Sequence, residues 1–114
     1  DAMVERMLAI KPTDPELRFE VTRGVTRPVW EMSAADRALF ELAKTVAGEI
    51  GFPVTPQSAG GGSDGNFTGA MGIPTLDGLG VMGRNAHTLD EHIDVSSLVP
   101  RARLFAGLLT RLPL

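Results

Sequence analysis

The sequence holds no cysteine and no tyrosine, with one tryptophan and five phenylalanines in 114 residues. Without cysteine there is no disulfide framework and no thiolate metal site. The compartment stays open on that count, since a reduced cytoplasm and a cysteine-free secreted protein look alike. So few aromatic rings leave nothing from which to build a base-stacking platform. A net charge of −3 gives no hint of the basic face that a nucleic-acid partner favours, so none is expected. No stretch approaches about 18 consecutive apolar residues, and the first residues lack the charged-then-apolar order of a signal peptide. No membrane partner is expected, and the compartment is read as cytoplasmic.

What remains is ordinary in composition. With 43% hydrophobic and 22% charged residues, the chain reads as globular, and its length is that of one domain with room for a core. Asp1 is not an initiator methionine, and "DAMVERMLAI" begins inside an amphipathic pattern (Met3, Val4, Met7, Leu8) with no leading cap. The expectation is a piece of a longer chain, whose sites are incomplete.

Periodicity predicts a helix over residues 1–10, stopped by Pro12 and Pro15. "LRFEVTR" then alternates, with Leu17, Phe19 and Val21 on one side and Arg18, Glu20 and Thr22 on the other, and predicts a strand with one buried face. After a boundary near Arg27 to Met32, Ser33 and Asp36 form a capping box. Leu39, Leu42, Ala43, Val46 and Ile50 keep helical spacing, and Gly51 stands where a C-terminal cap belongs. "FPVTP" allows a short edge strand at most, and Ile73 to Leu76 reads as a short buried strand. The last helix presents Leu98, Ala102, Phe105, Leu109 and Leu112 on one face, with Pro100 in its first turn. This order of elements is that of an α/β layer.

"GLGVMG" at residues 78–83 is a complete G-x-G-x-x-G. A dinucleotide site also needs a helix directly after the glycines and an acidic residue about 20 positions on. "RNAHTLDEHIDV" has no helical apolar period, and no Asp or Glu occurs from Val95 to Leu114. The stretch reads as a loop that carries a histidine.

Three places could hold chemistry. "GGGSDGN" (Gly60 to Asn66) lets a backbone pass close to a carboxylate or phosphate, with Ser63 or Asp64 capping a short helix behind it; a flexible Gly/Ser turn is the alternative. No Gly-Lys-Ser/Thr follows, which excludes a P-loop. His87, with Asp90, Glu91 and Asp94 close behind it, is either a surface histidine or a metal ligand with carboxylate support. A catalytic zinc needs three protein ligands, which this loop cannot supply by itself. Arg23 and Arg27, at the end of the first segment, are either solvated or placed to fork onto a carboxylate. Asn66-Phe67-Thr68 is formally a glycosylation sequon and carries no weight without a secretory signal.

Taken together, Gly-Gly-x-Ser-Asp, then Ile-Pro-Thr-Leu-Asp-Gly-Leu-Gly, then the histidine of Ala-His-x-x-Asp-Glu, in that order and spacing, resemble the C-terminal end of a zinc-dependent hydrolase family. That family includes glutamate carboxypeptidase (carboxypeptidase G type), acetylornithine deacetylase and succinyl-diaminopimelate desuccinylase. The resemblance implies an α/β catalytic domain interrupted by a smaller α+β lid that forms a homodimer contact. Residues 1–28 would be the end of the lid, and residues 29–114 the C-terminal portion of the catalytic domain.

Carried over by residue, the resemblance makes His87 a ligand of one of two zinc ions. Arg27 becomes the lid arginine that grips a terminal carboxylate, with Arg23 the weaker candidate. Gly61, Gly62 and Ser63 become the turn that contacts the substrate carboxylate. Gly62 stands where some relatives carry Thr, so no side-chain hydroxyl is offered there. Glu91 receives an orienting role and no residue of the chain a catalytic one. The family's H-x-D motif, bridging Asp, Glu-Glu pair and second-metal ligands are absent from these 114 residues and would lie upstream of Asp1.

The implied function is a share in a dinuclear zinc hydrolase that cleaves an amide bond next to a free carboxylate, on a small acyl amino acid or peptide. The isolated chain is expected to hydrolyse nothing. Two other readings stand beside this one: a non-catalytic module that binds carboxylates, and an assembly unit in which Leu17 to Arg23 pairs across a dimer.

Overall fold

The computed structural model describes residues 2–24 and 26–112; Asp1, in the first expected helix, and Val25, in the expected lid segment, lie outside them. Helix α1 (Ala2–Leu8) is followed by α2 (Ala34–Glu49), α3 (Gly65–Ala70), two-residue strands β1 (Gly83–Arg84) and β2 (His92–Ile93), a 3-10 turn at Val95–Ser97, and α4 (Leu98–Leu109). Among the described residues the class is mixed α and β, with two strands paired antiparallel, Gly83 opposite Ile93 and Arg84 opposite His92.

Helix α2 forms where its signals stand. Ser33 Oγ accepts from Asp36 N, and the Asp36 carboxylate accepts from Ser33 N. These reciprocal bonds satisfy two backbone donors that a helix start leaves open. At the other end Gly51 takes φ +71°, its N–H donates to Gly48 O, and Phe52 N donates to Ala47 O. That is a Schellman ending, and the left-handed residue it requires is the glycine.

The core is small. Ala43, Val46 and Ala47 of α2 pack on Leu104 and Leu108 of α4, with Leu42, Ile50, Val54, Leu76 and Leu79 partly buried around them. A Cβ on Gly107 would stand 2.6 Å from Val46 Cγ1, so the glycine is what lets the two helices approach this closely. Arg111 Nη1 donates to Glu49 Oε1 at 2.9 Å, an ion pair that ties the end of α4 to the end of α2. Arg101 Nη1 donates to Gly78 O, and its guanidinium lies 5.3 Å from the Phe52 ring centroid.

Three expectations need correcting. Leu17 to Arg23 is not a strand: no described segment pairs with it, and Leu17 and Phe19 are 58% and 48% exposed. Alternation supplies a face, but a strand also needs a neighbour's hydrogen bonds. Ile73 to Leu76 is likewise no strand; Ile73 is exposed, and only Leu76 turns to the core. The buried face of α4 is Leu104 and Leu108, one position away from the expected stripe, which leaves Phe105 50% exposed. Helix α4 is apolar on two sides, and the side carrying Gly107 docks because it alone lets α2 come near.

The chain is also less compact than its composition suggests. It exposes 9327 Å², against about 6,000 Å² for a compact protein of this mass. Helix α1 buries none of its residues. Among the described residues, no helix is long and apolar enough to cross a membrane.

Candidate functional site

The glycine-rich turn and the segment at the expected domain boundary come together across nearly forty residues of chain. Asn66 joins them: its Oδ1 accepts from Ser63 N at 2.8 Å, and its Nδ2 donates to Pro28 O at 2.8 Å. The sequon residue thus spends both ends of its amide inside the structure. Ser63 Oγ accepts from Gly65 N at 3.1 Å at the start of α3, whereas Asp64 makes no cap bond. Instead Asp64 Oδ1 receives Arg27 Nη2 at 3.2 Å.

These contacts shape an open cleft of about 350 Å³ lined by residues 27–30, 59–62 and Asn66. Gly62 is its floor under Arg27, because a Cβ there would stand 2.9 Å from Arg27 Cδ. The arginine side chain is half exposed. Its bond to Asp64 uses one of five N–H groups in a planar fork suited to carboxylates. A carboxylate entering this cleft would meet a cation, glycine backbone and the Asn66 amide.

Trp30 forms one wall. Its ring lies on α3, so close to Gly69 that a Cβ there would enter the ring, and a Cβ on Gly65 would stand 3.3 Å from Cζ3. Trp30 Nε1 donates to Asp36 Oδ2 at 3.2 Å, and Asp36 Oδ1 accepts from Thr75 N at 2.7 Å. Asp36 is 3% exposed. The Thr75 and Ser33 bonds, with a smaller contribution from Trp30, lower its pKa from 3.8 to about 2, because each donor favours the ionised carboxylate.

The histidine loop is a separate construction. Residues 85–91 connect β1 to β2, and Met82 O accepts from Asp94 N at 2.8 Å just outside the strand pair. Buried Ser97 anchors the base, accepting from Met82 N and donating to Asp94 O. A Cβ on Gly83 would stand 2.8 Å from His92 O. The last glycine of the G-x-G-x-x-G therefore serves a close strand approach, and a hairpin follows it where a nucleotide site would have a helix. At the tip Asn85 and His87 take φ +58° and +67°, a backbone region uncommon for residues with a side chain. Turn bonds from Thr88 N to Asn85 O and from Glu91 N to Thr88 O hold it. Glu91 Oε2 accepts from His87 N at 3.3 Å, so the carboxylate meets the histidine backbone.

The structure brings Arg27, Gly61 and Gly62 to one cleft, sets Ser63 in the adjoining turn, and places His87 and Glu91 together in the hairpin loop. Arg23 is exposed and outside the cleft lining. Sequence reasoning missed Trp30 and the inner role of Asn66, and read Asp36 only as a cap. A lone tryptophan beside Arg-Pro was the one available signal. Among the described residues no three His, Asp or Glu side chains gather as a metal site. The residues present do not by themselves fit a resident zinc.

A family model described as peptidase family M20/M25/M40 matches residues 3–111. The chain belongs to that family. An uncharacterised protein, YqjE of Bacillus subtilis, is 33% identical over 112 residues, covering 96% of this chain and 30% of its own length. Succinyl-diaminopimelate desuccinylases of Thioalkalivibrio sulfidiphilus and Acinetobacter baylyi are 32% and 35% identical over 73% and 75% of the chain, and 23% and 21% of their own lengths. The chain thus spans less than a third of each of these relatives. No solved structure matches it significantly.

Proposed function

We propose that this chain is the C-terminal portion of a zinc-dependent hydrolase that cleaves an amide bond next to a free carboxylate, with the Arg27 cleft taking that carboxylate. The observation that carries the reading is the Arg27 guanidinium laid over the Gly62 backbone in a cleft that Trp30 and Asn66 also line. Membership of a peptidase family with desuccinylase relatives supports amide hydrolysis as the reaction class. Residues 1–28 are the end of a lid that pairs two copies, and residues 29–114 belong to the catalytic domain. The exposed apolar side chains of residues 3–19 support a lid that finds its partner elsewhere.

In this reading His87 would give one ligand to a zinc centre whose other ligands lie outside these 114 residues, and bound metal would supply Lewis acidity to the reaction. Glu91 orients the loop through the His87 N–H. Gly61, Gly62 and Ser63 receive the substrate carboxylate together with Arg27. The chain alone supplies neither a general base nor a full ligand set, and hydrolyses nothing.

Titrating the chain with glutarate, followed by amide chemical shifts, tests the cleft. Arg27→Ala should weaken binding about tenfold or more, the loss of charge-assisted hydrogen bonds. Unchanged affinity would remove Arg27 from the site. For the metal, zinc content of the longer protein should fall on His87→Ala. Zinc content unaffected by that substitution would refute the ligand role, and a zinc-free wild type would favour a carboxylate-binding module.

A further inference from the structure

Three donors end on one buried carboxylate: Trp30 Nε1 at 3.2 Å and Ser33 N at 2.8 Å from the stretch just before it, and Thr75 N at 2.7 Å from a loop 39 residues further on. A helix cap needs only the Ser33 bond. The other two bonds do something different, since they tie an indole and a second loop to the same point. The indole lines the cleft together with the glycine turn, and its ring rests on Gly65 and Gly69 of α3, the helix that the turn feeds. We infer that Asp36 is a positioning residue for the carboxylate cleft, holding Trp30 as its wall through the indole N–H and locking that wall to the 73–76 segment. The inference rests on the proposed role of the Arg27 cleft for its functional meaning and on the three hydrogen bonds for its mechanics.

The chemistry makes the arrangement specific to a carboxylate. Two oxygens with several lone-pair directions can serve three converging donors, whereas an amide offers one acceptor oxygen and would turn its NH₂ toward an N–H. An Asp36→Asn protein therefore keeps the size and loses at least one of the three bonds. Its oxygen can still face Trp30 and Ser33, so the tether is cut by Asp36→Ala, after which Trp30 keeps only the packing of its ring on two glycines.

Trp30 is the single tryptophan, so fluorescence reads this wall directly. The test compares acrylamide quenching of Trp30 in the wild-type chain, Asp36→Ala and Ser33→Ala, each under conditions where circular dichroism shows it folded. Ser33→Ala removes a cap bond and leaves the indole tether. Quenching should rise about twofold in Asp36→Ala and stay at the wild-type value in Ser33→Ala, as the indole's hydrogen bond is lost only in the former. Equal quenching in all three proteins, or an equal rise in both variants, overturns the inference.

A double-mutant cycle with Trp30→Phe then uses glutarate affinity as its readout. Trp30→Phe keeps a ring on α3 and removes the tether. Each single substitution should weaken glutarate severalfold, and the pair should be little worse than either alone, since residues acting through one contact are not additive. Full additivity overturns the coupling. If wild type ignores glutarate, the carboxylate reading of the cleft fails, while the quenching comparison still decides whether Asp36 holds Trp30.

Discussion

Leu17, Phe19 and Val21 alternate with polar neighbours as regularly as Leu42, Val46 and Ile50 recur along α2, yet Phe19 is 48% exposed and Val46 2%. The two regions differ in what meets them. Helix α2 has α4 with a glycine at the contact point, a satisfied cap at each end and an ion pair beyond. Residues 2–24 have a helix that buries nothing and an extended stretch paired with no described segment. Patterning offers a face, and a stable element follows only when another surface removes that face from water.

The largest expected effect that would sharpen this contrast is in the helix pair. Leu104→Ala should lower unfolding free energy by about 2–5 kcal/mol, the range for emptying a buried leucine site, read from chemical denaturation. A loss below about half a kcal/mol would mean that the α2–α4 contact is not the chain's core. Next, Gly107→Ala drives a methyl into Val46 and should destabilise by about 1–3 kcal/mol. Adding Val46→Ala should return part of that loss, and the double variant being worse than both singles combined would break the close-approach argument.

Acid gives a smaller, graded effect. Asp36 is depressed from 3.8 to about 2 by the hydrogen bonds it accepts, so its contribution is complete above the unfolded value and disappears as pH falls from about 4 toward 2. Asp36→Asn should flatten that part of the stability profile, and an unchanged profile would count against the buried carboxylate. The smallest effect belongs to the other region. Phe19→Ser should alter stability by no more than about 0.5 kcal/mol, as exposed substitutions do, and a loss of several times that would show that the segment has a partner in solution.

Much of the fold was legible where it rests on local rules. The Ser33–Asp36 box, the Gly51 ending, Pro100 in the first turn of α4 and the rejection of a nucleotide site for Gly78–Gly83 all follow from backbone chemistry within a few residues. Two strands and the docking face of α4 were not legible, since alternation and apolar spacing leave the partner unspecified. Trp30 was invisible for a related reason: its role depends on Gly65, Gly69 and Asp36, and only the last is near it in sequence.

By itself, the sequence determined where α2 begins and ends, that the glycine turn could pass under a side chain, and which family the chain resembles. Those are properties of neighbouring residues and of motifs in order. Tertiary structure alone decided which side of α4 is buried, that Asp64 pairs with Arg27 instead of capping α3, and that Trp30, Ser33 and Thr75 share one carboxylate. The reason is that a hydrogen bond or a close packing contact across nearly forty residues depends on the path of the backbone between them, which no local pattern records.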